Sequence, residues 1–146
     1  MVREKIPDAK LWVFGDGPFK KTLERISGSG VSFFSELSSF DRREMLRKSW
    51  VLMVPGLREG WGLNVIEANA LGVPCVAYDV PGLRDSVKDG ETGLLVESGN
   101  IQSLAEGVIN LLEDPSLRQK LSLNALNYAK GFNWDKTANE FIAKIS

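Results

Sequence analysis

Short apolar runs alternate with helix-like segments over the first two thirds of the chain. The runs are rich in β-branched and aromatic residues and are bounded by turn-forming residues, which is typical of buried strands. They cover residues 11–14, 31–35, 50–55, 73–78 and 92–96. Apolar faces and helix-boundary residues predict helices near residues 19–27, 39–48, 63–71 and 81–88. Because strands that alternate with helices form parallel sheets, the pattern predicts an α/β fold with a doubly wound parallel sheet of about five strands.

Helices alone fill the last third of the chain. Asn100, the pair Asp114-Pro115 and Asn133 are the capping signals that precede them. After Asn100 the apolar positions repeat at helical spacing, which predicts a face that packs in the core. That face consists of Ile101, Leu104, Ala105, Val108 and Leu112. Similar faces are formed by Phe19, Leu23 and Ile26 in the first predicted helix and by Ala138, Phe141, Ile142 and Ile145 in the last.

The composition is that of an ordinary soluble globular domain, with 43% hydrophobic and 25% charged residues among 146. This length suits a single domain over residues 1–146 with a real core. The net charge of −1 provides no attraction for nucleic acid or an anionic membrane, so neither is expected as a partner. No apolar run reaches the roughly 18 residues of a membrane span, and no signal-peptide pattern follows Met1. We therefore expect no transmembrane segment and a cytoplasmic protein, at most peripheral to a membrane.

Cysteine and histidine usage excludes several kinds of catalytic site. The single cysteine, Cys75, lies on a strand-like run, so we expect no intramolecular disulfide and a buried, inert thiol. The chain has no histidine, which excludes a Ser-His triad and argues against a zinc site. No Gly-x-Gly-x-x-Gly follows the first strand, which argues against a nicotinamide-type dinucleotide site.

The stretch from Glu59 to Gly72 carries the candidate chemistry. It reads Glu-Gly-Trp-Gly-Leu-Asn-Val-Ile-Glu-Ala-Asn-Ala-Leu-Gly and joins a predicted strand to a predicted helix through a glycine-rich loop. Gly60 and Gly62 let backbone N–H groups approach a ligand, and the helix start favours an anion. Glu59 lies in the loop and Glu67 lies in the helix. The loop therefore suits a phosphate, and the two carboxylates suit sugar hydroxyl groups.

The surroundings of Glu67 lead to a further expectation. Its neighbours are apolar or small, so the helix is predicted to be mostly buried. A carboxylate among such residues costs several kcal/mol unless something bonds to it. A structural alternative is that Glu67 pairs with an arginine, since strand–loop–helix turns occur throughout doubly wound proteins. Ligand binding is the preferred interpretation, because these sheets bind ligands at the carboxyl ends of their strands.

At these residues the sequence resembles the donor-binding motif of the retaining family-4 glycosyltransferases with the GT-B fold, the glycosyl transferases group 1. The pattern is Glu-Gly-Trp-Gly followed by Glu-Ala-Asn-Ala-Leu-Gly-Val-Pro, with the two glutamates separated by seven residues. The resemblance extends through residues 76–85 and 92–96, and upstream through residues 7–11 and 15–18. It covers nearly the whole chain, and its motifs are fairly specific as a set.

The resemblance implies the C-terminal half of a GT-B enzyme, a Rossmann-like domain with C-terminal helices that binds a nucleotide-sugar donor. The implied enzyme is a hexosyltransferase that moves a sugar from a nucleotide diphosphate to an acceptor with retention at the anomeric carbon. No metal and no cofactor are implied, because basic side chains and a helix end hold the phosphates. The motifs do not identify the base, the sugar or the acceptor.

The resemblance also implies a role for each residue of the central motif. Glu67 would accept hydrogen bonds from the ribose of the nucleotide. Glu59 would bond the transferred sugar and lie nearest the reacting carbon, which makes it the candidate catalytic residue. The backbone N–H groups that would face the sugar and the pyrophosphate belong to Gly60, Trp61, Gly62, Leu63 and Asn64.

Residues of the N-terminal third are given roles at the nucleobase and the cleft floor. Leu37 would contact the base, with Ser35 and Glu36 beside it, and Ser35 stands where the family usually has glycine. Gly15 and Gly17 would shape the floor of the cleft.

Relative to that family, we expect the chain to lack several parts. It begins at what resembles the end of the first helix of the donor domain, so the first strand, that helix and its basic pair would be absent, together with the whole N-terminal acceptor domain. Arg58 or Arg84 would then have to replace the basic pair. Because the first strand is central in the family, its absence leaves two strand edges unpaired or forces the flanking strands together. We therefore expect self-association or a partner chain, and no catalysis by this chain alone.

Four hypotheses remain open at this point. The chain is a donor domain of a longer or truncated glycosyltransferase, or a donor-binding subunit that completes an active site with a separate acceptor-domain chain. Alternatively, it is a GT-B relative with another reaction, such as a nucleotide-sugar epimerase, or a non-catalytic domain that kept the fold. Nucleotide affinity separates the last hypothesis from the others, and product analysis separates the epimerase.

Overall fold

The computed structural model describes residues 1–145, apart from the side chain of Trp134. The strands are β1 (Leu11–Phe14), β2 (Val31–Phe34), β3 (Leu52–Val54), β4 (Cys75–Tyr78) and β5 (Gly93–Val96). The helices are α1 (Val2–Lys5), α2 (Lys20–Ile26), α3 (Ser39–Arg47), α4 (Leu63–Asn69), α5 (Pro81–Ser86), α6 (Ile101–Glu113), α7 (Pro115–Ala129) and α8 (Trp134–Ile145). The predicted alternation of strands and helices is confirmed, and most elements are slightly shorter than predicted.

The described strands run parallel, as predicted, but they form two sheets instead of one. β1 pairs with β2, with Leu11 opposite Val31, and β4 lies between β3 and β5. Within residues 1–145, β1 is paired on one side only, by β2, and β3 is paired on one side only, by β4. Of the two arrangements expected for these strands, the structure has the one with unpaired edges.

The chain divides into two compact units, Met1–Met45 and Leu46–Ser146. In the first unit no side chain is fully buried. The apolar face of the α2 region is therefore not packed as predicted: Phe19 is 72% exposed and Ile26 is 70% exposed. A sheet of two short strands offers too little apolar surface to cover such a face.

The second unit contains the hydrophobic core, which is centred on β4. All four residues of β4 are buried. Helices α4 and α6 pack against this strand, and α7 packs against both helices. Gly107 lets α6 lie close to the sheet, because a Cβ there would come 2.8 Å from Cγ1 of Val76. The core side chains without exposed surface include Leu83, Leu111 and Leu121.

The three C-terminal helices begin at the predicted caps. The side-chain Oδ1 atoms of Asn100, Asp114 and Asn133 accept hydrogen bonds from first-turn N–H groups at 3.0, 2.9 and 2.8 Å. These bonds satisfy backbone donors that a helix start leaves without partners.

The apolar faces predicted for α6 and α8 are partly wrong. In α6, Ile101 is 68% exposed, whereas Leu111, which the predicted face omits, is fully buried. The buried stripe passes through Gly107 and Leu111 and is therefore rotated about the helix axis. In α8, Phe141 and Ile145 are 63% and 68% exposed, because this helix has no extensive contact with the described sheets. None of the helices within residues 1–145 has the length and apolarity needed to cross a membrane.

Candidate functional site

Residues 55–62, the glycine loop, connect β3 to α4. The loop ends at Gly62, whose φ of 76° lies in the left-handed region. A Cβ at this position would come within 2.9 Å of Leu83 Cδ2 and 3.0 Å of Ser86 Oγ. The backbone conformation and the close packing against α5 therefore both require glycine at position 62.

The first turn of α5 supports the glycine loop at Glu59 and Gly60. Gly82 is buried in this turn, and a Cβ on it would come 2.1 Å from the carbonyl oxygen of Glu59 and 2.6 Å from that of Gly60. Helix and loop are thus in direct backbone contact. Gly82 was not predicted as a site residue, although the pair Pro81-Gly82 at a helix start is a visible signal for a close approach.

The glycine loop and the start of α4 leave a row of backbone donors unused. The N–H groups of residues 60–64 donate to no acceptor within the described residues 1–145. The first bonded N–H is that of Val65, which donates to the carbonyl of Gly62 at 2.9 Å and to Asn64 Oδ1 at 3.0 Å. Neighbouring free N–H groups of this kind form a site for an anion or a polar ligand. Helix α4 has only seven residues. The candidate site is therefore based on these amides and not on the dipole of the helix.

A shallow concavity of about 340 Å³ lies beside the glycine loop. Its lining consists of Leu57, Arg58, Glu59, Gly60, Val80 and Pro81. The exposed Glu59 side chain lies against Gly56, where a Cβ would come 2.5 Å from Glu59 Oε1. The concavity therefore combines a carboxylate, the guanidinium of Arg58 and free backbone N–H groups.

The prediction that Glu67 lies in a mostly buried environment is wrong. Glu67 is exposed, because α4 buries only the stripe of Val65, Ala68 and Asn69. Leu63 and Glu67, one turn apart, lie on the opposite face of the helix and are both exposed. The argument from desolvation therefore fails, but the carboxylate is accessible to a ligand.

The buried polar residue of α4 is Asn69 instead of Glu67. Asn69 has no exposed surface, and neither its Oδ1 nor its Nδ2 has a hydrogen-bond partner among the described residues. The Glu-Ala-Asn-Ala motif contains Asn69, but its apolar neighbours gave no reason to single it out.

Replacing Asn69 with leucine is expected to raise the free energy of unfolding by about 1–2 kcal/mol, because a buried amide without partners is costly and an apolar side chain of similar length is not. Urea denaturation measures the change. The matched control is Asn110→Leu on the exposed face of α6, which should leave stability nearly unchanged. A clear loss of stability in Asn69→Leu would contradict the assignment and would show that the amide has a partner, such as an internal water.

Arg84, one of the two candidates for a phosphate contact, already has a partner. Its Nε donates to Asp79 Oδ1 at the end of β4, and both side chains are exposed. This hydrogen bond and the guanidinium charge lower the pKa of Asp79. Arg58, which lines the concavity beside Glu59, is therefore the better placed of the two arginines.

The site residues predicted in the N-terminal third lie in the first unit. Gly15 follows β1 with a φ of 121°, and the N–H of Gly17 donates to Asp16 Oδ1 at 2.9 Å. Leu37 is half-buried just beyond β2. The structure thus brings these residues to the carboxyl ends of β1 and β2, whereas residues 59–67 follow β3 in the second unit.

Lys20 was not predicted as a site residue. Its ammonium group donates a hydrogen bond to the hydroxyl of Ser35, at the end of β2. Glu24 Oε1 lies 3.9 Å from the same nitrogen. Lys20 therefore adds a positive charge near the residues expected to contact a nucleobase.

Cys75 is buried, as predicted. It has no exposed surface, and burial in the core raises the pKa of its thiol. The thiol stays protonated at neutral pH, which is the expected behaviour of a core cysteine.

The fold and the glycine loop define an α/β protein whose candidate ligand site lies where the strands of a parallel sheet end. The profile of the family described as "Glycosyl transferases group 1" matches residues 1–128, and the chain belongs to this family. The predicted family is therefore confirmed.

Similarity to individual proteins agrees with this family. Poly(glycerol-phosphate) alpha-glucosyltransferase of Bacillus subtilis (strain 168) is 32% identical over an alignment of 153 positions, gaps included, which covers 97% of this chain and 23% of that protein. The C-terminal domain of a glycosyl transferase group 1 family protein from Francisella tularensis superposes with a TM-score of 0.80 at 26% identity, over 89% of this chain and 72% of that one. The Anabaena protein HepE, solved in complex with UDP-glucose, gives a TM-score of 0.81 at 23% identity, over 95% of this chain and 41% of that one.

Two statements follow from these similarities. The predicted fold class, the Rossmann-like C-terminal half of a GT-B fold, is confirmed. The chain also spans well under half the length of the curated relatives it matches.

Proposed function

We propose that this chain is the donor-binding half of a retaining glycosyltransferase. The complete enzyme transfers a hexosyl group from a nucleotide diphosphate to an acceptor. One observation carries the proposal: the exposed carboxylates of Glu59 and Glu67 flank a row of backbone N–H groups that find no acceptor in the described part of the chain. A nucleotide sugar offers hydroxyl groups to the carboxylates and phosphate oxygens to the N–H groups.

In this proposal, Glu67 accepts hydrogen bonds from the ribose hydroxyls, and Glu59 accepts them from the transferred sugar, next to the reacting carbon. The N–H groups of residues 60–64 face the sugar and the pyrophosphate. When the bond between the anomeric carbon and the diphosphate breaks, negative charge grows on the leaving phosphate. Donors fixed in advance stabilise such charge without reorganisation. These amides and Arg58 therefore stabilise the leaving phosphate in place of the metal ion that other enzymes use.

Two similar proteins support the class of donor and the stereochemistry in this proposal. The Anabaena protein with this fold holds UDP-glucose, so the fold accommodates a nucleotide-sugar donor. The Bacillus subtilis relative is named as an alpha-glucosyltransferase. An α-linked product formed from an α-linked donor is the outcome of retention, which is the stereochemistry we propose here.

We assign the nucleobase side of the donor to the first unit. Leu37 contacts the base beside Ser35 and Glu36, and Gly15 and Gly17 form the floor of the cleft. The supporting observation is their position at the carboxyl ends of β1 and β2. Lys20, bonded to Ser35, is a further polar group at this end.

The acceptor-binding half lies outside these 146 residues in our proposal, either elsewhere in a longer protein or on a partner chain. The chain matches 23% of the length of its Bacillus subtilis relative, so most of such an enzyme has no counterpart here. The unpaired edges of β1 and β3 are the surfaces through which we propose that it joins a partner or a second copy. By itself the chain binds donor and does not catalyse transfer.

The proposed function is tested by calorimetric titration with UDP, GDP and ADP up to millimolar concentrations. We expect one nucleotide to bind, and Glu67→Ala to weaken it at least about tenfold, or 1.4 kcal/mol, because the ribose loses its acceptor. The matched control is Glu106→Ala on an exposed face of α6, which should leave the affinity unchanged.

Two results would contradict the proposal. Binding that is indifferent to Glu67→Ala would move the nucleotide away from α4. The absence of binding by all three nucleotides to a folded chain would favour a non-catalytic domain that kept the fold.

A further inference from the structure

An aromatic cluster contacts the glycine loop at Trp61. It consists of Trp61 in the loop, Tyr128 near the end of α7, and Phe132 in the connection between α7 and α8. The Trp61 and Phe132 rings meet edge-to-face, with centroids 5.1 Å apart at 64°. Phe132 and Tyr128 meet in the same way at 5.0 Å and 81°. Such pairs have a preferred geometry in addition to their hydrophobic contact.

The aromatic cluster is tied to α5 as well. The hydroxyl of Tyr128 donates to the carbonyl oxygen of Asp85 at 3.0 Å. The ammonium of Lys88 lies 5.6 Å from the centre of the Tyr128 ring. Tyr128 is therefore fixed on one side by the end of α5 and on the other by Phe132, which in turn contacts the loop.

Trp61 lies between the two points at which the glycine loop contacts α5. The backbone of Glu59 and Gly60 rests on Gly82, and Gly62 rests on Leu83. The residue between these two supports has its ring against Phe132. The contact with Phe132 thus adds a side-chain support to the segment of the loop between these two backbone contacts.

We propose that Phe132 and Tyr128 are positioning residues for donor binding. Through the Trp61 indole, they keep the N–H groups of residues 60–64 and the Glu59 carboxylate in the arrangement that receives the nucleotide sugar. This inference rests on the proposed function of the loop. It adds a dependence on the segment that follows α7, which the sequence pattern does not connect to the loop.

A purely structural role fits the cluster less well. Phe132 is 40% exposed and lies outside the hydrophobic core of the second unit. Removing its ring therefore sacrifices little buried apolar area, and the global stability should fall only modestly. The contacts that are lost are those with Trp61 and Tyr128, so the main consequence should appear in the loop.

The test combines two readouts on Phe132→Ala. The first is the ¹H–¹⁵N resonance of the Trp61 indole, assigned by its disappearance in Trp61→Phe. We expect this resonance to shift, because the Phe132 ring current is lost. The second is the affinity for whichever of UDP, GDP and ADP binds the wild type, which should fall about threefold to tenfold, the loss expected for one aromatic pair.

Three variants keep the test sharp. Phe132→Tyr retains the ring and should restore both readouts. Phe141→Ala removes an exposed phenylalanine of α8 and should alter neither. If Phe132→Ala does not fold, Phe132→Leu, which keeps an apolar side chain but no ring, takes its place with the same expectations.

The outcomes separate this inference from the function on which it rests. An unchanged Trp61 resonance overturns the positioning role, whether or not a nucleotide binds. A shifted resonance with unchanged nucleotide affinity overturns the link from the cluster to donor binding. If no nucleotide binds the wild type, the proposed function fails, and with it the positioning role, while a shifted resonance would still establish the contact of Phe132 with the loop.

Discussion

Replacing Gly82 with alanine is expected to lower the free energy of unfolding by about 3 kcal/mol, at the upper end of the range for overpacking a tight site. The new Cβ would come 2.1 Å from the carbonyl oxygen of Glu59 and 2.6 Å from that of Gly60. Both obstacles are backbone atoms, so no side-chain rotation relieves the clash. Either α5 or the glycine loop has to move.

The same substitution should abolish measurable nucleotide binding, because the displaced residues include Glu59 and the free N–H groups beside it. Urea denaturation and calorimetry measure the two effects. Gly28→Ala is the matched control, since a Cβ at position 28 meets nothing within 4 Å, and it should change neither quantity. A Gly82→Ala protein with wild-type stability and affinity would show that the contact between α5 and the loop is not as close as described.

Leu121→Ala is expected to cost about 3 kcal/mol of stability, within the range of 2–5 kcal/mol measured for removing a buried leucine side chain. Leu121 has no exposed surface and belongs to the core cluster that also contains Leu83 and Leu111. Its loss leaves a cavity in the core beside α7, the helix that packs against α4 and α6.

Leu123→Ala provides a control on the same helix. Leu123 is 55% exposed, so its truncation should change the free energy of unfolding by less than about 0.5 kcal/mol. Urea denaturation of both variants gives the comparison. Equal losses for the two positions would contradict the assignment of the α7 face that forms the core.

The sequence predicted the parts of the fold that depend on local signals. The strands were visible because short β-branched runs are bounded by glycine or proline. The three C-terminal helices were visible because Asn100, Asp114 and Asn133 are caps whose side chains bond the first turn. Gly60 and Gly62 marked the loop, because glycines between an apolar run and a helix-like stretch indicate a turn.

Features that depend on tertiary contacts were not predicted. Glu67 was expected to be buried because its neighbours are apolar, but a helix buries only one stripe, and Asn69 occupies it instead. Phe132 contacts Trp61 from far along the chain, which no local pattern indicates. The division into two sheets depends on which strands pair. The runs of apolar residues do not indicate strand pairing.

Amide-resolved ¹H–¹⁵N titration with UDP, GDP and ADP tests the claim that the glycine loop and α4 receive a nucleoside diphosphate. We predict that one nucleotide shifts the amides of residues 59–67 most strongly and leaves those of the exposed face of α6 unchanged. The claim is contradicted if the largest shifts lie elsewhere while residues 59–67 stay in place, or if none of the three nucleotides shifts them.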